Sequence, residues 1–270
     1  MFAGSNKRSF VRNSILASLS LPDLAAVGEF AESIVLRERM VLHEPRRRIE
    51  YVYFIETGVV SLRIVAGQNL IESAVVGFQG AVGASALFGG HISTHQSVVL
   101  FPGNALRVHV DSLRRLINDR HHLRVRLSRH VQTLLMHSAQ TGLCGVRHDL
   151  EQRVACWVCL TCDALGSPIL HVTHDYLSDA LGLRRPGVTE ALIRFENEGL
   201  IYKTRGLLHV KERKRLEQKA CSCYSIIAGE YASAELPTSS EELAEAQGEL
   251  GRRAPSKLRV WSSAVVEVAT

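Results

Sequence analysis

The chain has 270 residues, enough for two domains with separate cores, and its 46% hydrophobic and 22% charged residues exclude a disordered or fibrous protein. A formal net charge of +5 and a pI near 9.0 favour an anionic partner without naming one. Residues 73–106 hold no Asp, Glu, Lys or Arg, yet Gly77, Gly80, Gly83, Gly89 and Gly90, with Gln79, His91 and His95, speak against a lipid-embedded helix, so no membrane partner is expected.

Residues 1–20 read as an N-terminal arm. Lys7, Arg8 and Arg12 lead into no uninterrupted apolar run, so no secretory signal is expected and the chain is placed in the cytoplasm, with its six cysteines reduced. Leu21-Pro22-Asp23-Leu24 opens a short helix reaching about Phe30, with Pro22 near its start. From Ile34 to Val110 the pattern changes to short β-rich runs broken by turn residues. Residues 51–55 and 59–64 flank Glu56-Thr57-Gly58 and predict a hairpin, with further strands at 70–76, 96–101 and 105–110. Many short strands with glycine-rich turns predict an antiparallel β-barrel or jelly roll over residues 20–110.

Helix resumes at Asp111 and runs through Leu116; after His121-His122 a long helix is predicted over 123–143. Leu123, Leu127, Val131, Leu134 and Ser138 step by four, four, three and four, close to a coiled-coil seam, and Arg124, Arg126 and Arg129 sit off it. Residues 111–145 are therefore read as a linker and dimerisation helix; the alternative is a helix packed only against its own chain. A further helix is expected over 149–165, with Val154, Trp157, Val158 and Leu165 toward the core and Gly166-Ser167-Pro168 as its turn.

Residues 171–210 carry the most information. Leu177, Ala180 and Leu181 make one apolar face of a helix that Thr173 caps, Asp175 suits in its first turn and Gly182 ends. Pro186 sits at a first-turn position of a second helix, whose Val188, Ala191, Leu192 and Phe195 recur at i, i+3, i+4 and i+7. Thr189, Glu190 and Arg194 are left pointing outward. Two helices joined by a short glycine-containing turn form a helix-turn-helix, whose second helix enters the DNA major groove. Leu200-Ile201-Tyr202, the basic turn Lys203-Thr204-Arg205-Gly206 and Leu207 to Val210 follow as a wing with two cations at its tip. Residues 184–215 hold nine Lys or Arg against four Glu, a surplus equal to the net charge of the whole chain. A helical hairpin with a solvated basic face is the bland alternative.

Beyond Tyr231, Pro237, Ser239, Ser240 and scattered Glu and Ala give no folding pattern, and residues 229–270 are expected to be a disordered tail. Cys156, Cys159 and Cys162 form a Cys-x2-Cys-x2-Cys run resembling the spacing of iron–sulfur ferredoxins. The run lies inside a predicted helix, where cysteine behaves as a small core residue, and structural cysteines are the expectation, with a cluster or a redox thiol as alternatives. Cys221 and Cys223 alone are too few for a zinc site, so no metal and no cofactor are expected. No nucleophile-elbow Gly-x-Ser-x-Gly, His-Glu-x-x-His or phosphate-cradling loop occurs, and no enzymatic activity is expected.

The order of β-rich domain, long helix, helix-turn-helix and wing resembles the Crp/Fnr family of bacterial transcription regulators over residues 20–224. The resemblance rests on Leu177-Ser178-Asp179-Ala180-Leu181-Gly182, Val188-Thr189-Glu190-Ala191-Leu192 and Glu198-Gly199-Leu200-Ile201, with Tyr53-Phe54-Ile55 and Gly58-Val59 in the β-rich part. It implies an α+β fold: a cyclic-nucleotide-binding-like β-roll sensor (20–110), a dimerisation helix (111–145) and a winged helix-turn-helix (146–224). It also implies a homodimer on two-fold symmetric double-stranded DNA, with half-sites ~34 Å apart, and RNA polymerase as a further partner. Thr173, His174, Lys203 and Arg205 are the phosphate-contact candidates. Arg184 and Arg185 suit a guanine and Glu190 a cytosine amino group; Thr189 and Arg194 complete the expected DNA-binding set.

Departures bear on the effector. Cyclic-nucleotide-binding relatives carry a Gly-Glu pair and, about ten residues on, an Arg followed by Ser or Thr; here Gly83 is followed by Ala84, and Thr94-His95 stand at the later positions. A buried phosphate without a cation is costly, so cAMP is not expected to bind tightly and the effector is left open. His91 and His95 are weak candidates for another ligand or a haem, and a ligand-independent DNA-binding protein is the remaining alternative. Pro186 stands in place of the family's Glu and Glu190 at its later Arg, so the family's half-site does not carry over.

Overall fold

In this computed structural model, which describes residues 11–67 and 69–235, the chain opens with two short helices, α1 (Ser14–Ala17) and α2 (Leu21–Gly28). Asn13 caps α1 by accepting from the Leu16 N–H, and Ser20 caps α2 by accepting from the Asp23 N–H. Residues 1–10 of the expected arm lie outside the described residues, but Ile15, Leu16 and Leu19 are core residues. The Asn13 amide donates to the carbonyls of Ile55 and Gly80, which fastens this segment to the sheet.

Six strands follow in one antiparallel sheet: β1 (Glu32–Leu36), β2 (Val41–His43), β3 (Tyr51–Ala66), β4 (Asn69–Val76), β5 (Ala81–Val82) and β6 (Gln96–His109). The hairpin expected at Glu56-Thr57-Gly58 does not form, because β3 runs straight through it and stays paired with β6. Gly58 has φ +84° and bulges the strand instead of turning it, with register shifts between Ile55 and Val60. Opposite it, Gly103 lies so close that a Cβ there would stand 2.1 Å from the Thr57 carbonyl oxygen. The two strands expected at 96–101 and 105–110 are likewise one bent strand, β6.

The bend divides the sheet. One half of the β3–β6 ribbon carries β1 and β5, and the other carries β2 and β4. β1 and β4 end the strand order, so of the barrel or jelly roll expected the described residues form the roll, which is open at these strands. Leu36, Tyr53, Ile55, Val60, Leu62 and Val99 fill one side of it.

A short 3-10 helix (Ala84–Phe88) follows β5, and α3 (Val110–Asp119) leads into the long α4 (His121–Arg147). The expected coiled-coil seam is spent within the chain: Leu123 and Leu127 are fully buried, and Val131 and Leu134 pack against the same chain's cores. A different stripe faces outward, with Leu135 72%, Leu143 47% and Val146 83% exposed.

α5 (Leu150–Leu165) is fixed at both ends, by an Asp149–Gln152 capping box and by Gly166 in the left-handed region. Then come β7 (Ile169–Leu170), α6 (His174–Leu181), α7 (Arg185–Asn197), β8 (Ile201–Thr204) and β9 (Leu207–Val210), with β7 adding an unanticipated third strand beside β9. Val154, Trp157, Leu177, Val188, Leu192 and Phe195 share one core with Val59, Val75 and Phe101 of the roll. α8 (Arg213–Lys219) and α9 (Ser222–Glu235) complete the fold. The expected tail is therefore helical from 229 to 235, and 236–270 lie outside the described residues.

Candidate nucleic-acid interface

The buried faces of α6 and α7 determine which side chains remain to meet a ligand. Thr173 accepts from the Tyr176 N–H at 3.2 Å, Gly182 ends α6 at φ 59°, and Pro186 sits in the first turn of α7. Leu177, Ala180 and Leu181 on α6, and Val188, Ala191, Leu192 and Phe195 on α7, are buried as the spacing predicts. Arg184, Arg185, Glu190 and Arg194 are thereby exposed, and Thr189 is half-buried. His174 Nδ1 lies 2.9 Å from Thr189 Oγ1, so the start of α6 is tied to the outer face of α7.

Arg185 Nε stands 2.7 Å from Asp175 Oδ1, and both side chains are about two-thirds exposed. Such a pair is worth under ~1 kcal/mol and is readily exchanged for a nucleic-acid group. Partial burial first, then the charges of Lys203 and Arg185, holds the His174 imidazole below its usual pKa, with Asp175 opposing the shift.

Two further expected contact residues also pair within the chain. Arg194 pairs with Glu151 on α5 and lies 3.8 Å from Glu190, so it braces α7 against α5. Lys203 is not at the wing tip: it belongs to β8, its Nζ sits 3.3 Å from Glu196 Oε2, and its N–H donates to Glu196 Oε1 at 3.2 Å. Arg205, in the exposed turn before Gly206, is the cation that the tip presents. Part of the local basic surplus is also structural. Arg213 donates to both oxygens of Asp163 and to Glu217 and Tyr224.

A second group of polar residues, missed in the sequence, lies where the roll meets this domain. Glu72 of β4 is buried and accepts from Trp157 Nε1 on α5 at 2.5 Å and from the Tyr176 hydroxyl on α6 at 2.6 Å, with Ser61 as a third donor. The Arg63 guanidinium lies over the Tyr176 ring, 5.4 Å from its centroid. Burial pushes the Glu72 carboxyl above the ordinary range, and the three donors oppose that shift. One signal was present: Glu72 is the last charged residue before the charge-free stretch.

In the roll, Ala84 is buried, and the His43 ring fills the space beside Gly83, where a Cβ would come within 2.6 Å of it. His91 and His95 lead elsewhere: His91 Nδ1 is 3.1 Å from Arg114 Nη2 and His95 Nδ1 is 2.8 Å from Thr94 Oγ1. The Cys-x2-Cys-x2-Cys run does not converge. Cys159 and Cys162 belong to the core shared with α7, where burial pushes both thiols up to about 12, whereas Cys156 packs beside Cys144, Cys221 and Cys223.

Residues 152–219 match the family model of the Crp-like helix-turn-helix domain. Among solved structures, the chain is similar to FixK2 from Bradyrhizobium japonicum at 18% identity and TM-score 0.62, covering 71% of this chain and 98% of that one. It is similar to a Crp/Fnr-family transcriptional regulator of Eubacterium rectale at 16% identity and TM-score 0.57, covering 74% and 94%. A Crp/Fnr-family regulator of Thermus thermophilus aligns at 22% identity and TM-score 0.54, covering 70% and 98%. No protein of curated function matches the sequence.

Proposed function

We propose a function for a chain whose residues 152–219 are a Crp-like helix-turn-helix domain set in the fold of the Crp/Fnr transcription regulators: it binds a two-fold symmetric DNA site as a homodimer, under control of an effector other than a cyclic nucleotide. The observation that carries the reading is the outer face of α7. Its apolar stripe is spent on the core, and Arg184, Arg185, Thr189 and Glu190 stand on the side left for a major groove. Arg185 is placed to read a guanine edge, Glu190 to accept from a cytosine amino group, and Thr173, His174 and Arg205 to meet phosphates.

Dimerisation is assigned to α4, through the exposed positions Ser128, Gln132, Leu135, Ala139, Gly142 and Val146, which recur by four and three alternately. Against a cyclic nucleotide stand the buried methyl of Ala84 and the lack of any Asp, Glu, Lys or Arg over 73–106. RNA polymerase is the partner that this role requires, and the cytoplasm is its place.

The test is selection of the full chain against a random duplex library at two salt concentrations. The reading expects an enriched palindrome with half-sites ~34 Å apart. Salt-sensitive retention of DNA with no enriched sequence would contradict it.

A further inference from the structure

Four metal-binding side chains, brought from two ends of the C-terminal half, meet at the foot of α4. Cys144 lies in the last turn of α4, and His148, four residues on, caps that helix with its N–H on the Cys144 carbonyl. Cys221 and Cys223 lie where α8 gives way to α9. Their donor atoms all stand within 4.8 Å of one another. Cys144 Sγ is 3.3 Å from Cys221 Sγ, and Cys223 Sγ is 3.5 Å from His148 Nδ1. The three thiols are buried and the imidazole is half-buried.

We propose that Cys144, His148, Cys221 and Cys223 form a structural Zn2+ site that fastens the end of α4 to the α8–α9 junction. Three thiolates and one imidazole are a donor set of closed four-coordinate zinc sites. Zn–S of about 2.3 Å and Zn–N of about 2.0 Å in a tetrahedron place neighbouring donors about 3.4–3.8 Å apart. The two short separations here fall within a few tenths of an ångström of that range, and the widest closes by about 1 Å as the side chains draw in. Core packing alone accounts for buried cysteines but not for an imidazole nitrogen turned onto them.

The site has a mechanical consequence. α9 runs back along α4, where the Tyr231 hydroxyl meets His137 Nδ1 at 3.1 Å and Arg126 donates to the Ala234 carbonyl at 2.6 Å. A metal at its first turn fixes the helix that follows the wing to the helix that leaves the roll. Binding releases the thiol protons to solvent, and no oxidant or reductant is involved.

The test uses the full chain, loaded separately with Zn2+ and with Co2+ under reducing conditions and then desalted. The site predicts about one retained Zn2+ per chain, a Co2+ spectrum with thiolate charge-transfer and tetrahedral ligand-field bands, and a higher Tm with zinc than after chelation. Cys223→Ser and His148→Ala should lose the ion, whereas Cys162→Ala, outside the site, should retain it. Where a variant fails to fold, protection by Zn2+ of three of the six thiols in the unaltered chain from alkylation decides the matter. No retained zinc, an octahedral cobalt spectrum, or iron–sulfur absorbance in anaerobically purified protein would each overturn the assignment.

Discussion

Trp157 Nε1 stands 2.5 Å from Glu72 Oε1, so an indole of the helix-turn-helix domain donates to a carboxyl of the roll inside their shared junction. The contact links the two halves through a group that tolerates little change, since Glu72 is only 4% exposed. Trp157→Phe keeps most of the ring volume but leaves Oε1 without its donor, at a cost of ~1–3 kcal/mol. The expected outcome is a Tm lower by several degrees, read by calorimetry. Raising the pH through the elevated Glu72 pKa places a charge in the junction, so its contribution is complete at low pH and is lost as that pKa is passed. An unchanged Tm for Trp157→Phe would remove the junction's energetic role.

Backbone approach makes the same join unforgiving. A Cβ on Gly77, just after β4, would lie 1.8 Å from the Ala164 carbonyl oxygen in α5. Gly77→Ala must therefore push the roll from α5, and the expected cost is ~3 kcal/mol, the upper part of the range for overpacking. Gly28→Ala meets nothing within 4 Å and serves as the control, with little change or a small gain. Equal urea midpoints for the two variants would contradict the close approach.

The helix-turn-helix was legible because its signals are local. Caps at Thr173 and Gly182, a first-turn proline and a period near 3.6 lie within a few residues of what they specify. The errors arose where distant residues decide. Gly58 reads as a turn until Gly103 lies across from it, and the Leu123–Leu127 seam reads as an interface until the chain's own core covers it. Lys203 reads as a wing-tip cation until Glu196 of α7 reaches it. The convergence of Cys144 with Cys221, 77 positions apart, leaves no trace in spacing.

Acid sensitivity should trace in part to His130. It is buried, its Nε2 lies 2.9 Å from the Ala81 amide nitrogen and 2.8 Å from the Ala81 carbonyl oxygen, and burial, against that backbone contact, lowers its pKa from 6.5 to about 4. Below pH 6.5 the unfolded chain takes up a proton that the folded chain refuses. This group's contribution is therefore complete above pH 6.5 and is lost progressively as pH falls to 4. His130→Gln keeps an acceptor for the amide and removes the titration. Urea unfolding at pH 7 and pH 5 should then show a loss smaller by ~2 kcal/mol in the variant. Parallel pH profiles would sink the assignment. His137, also lowered to about 4, is left in place in both proteins.

The outward stripe of α4 can be tested without disturbing the core. Leu135 and Val146 are 72% and 83% exposed in the single chain, so Leu135→Glu with Val146→Glu should leave each chain's own core intact, and any fall in Tm should reflect the lost dimer. Sedimentation should show the unaltered chain as a dimer and the double variant as a folded monomer. A double variant that stays dimeric, or an unaltered chain that is monomeric at micromolar concentration, would count against α4 as the interface.

The most direct measurement compares Arg185→Ala and Arg205→Ala with the unaltered chain on a selected duplex and on a scrambled one, each across a salt series. Arg185, at the start of α7, is expected to carry ~1–3 kcal/mol of discrimination, so Arg185→Ala should bring the two duplexes together in affinity. Arg205→Ala, at the wing tip, should weaken both alike and lower the salt slope by about one. Equal losses on both duplexes for both variants would contradict the account of α7 as the helix that reads sequence.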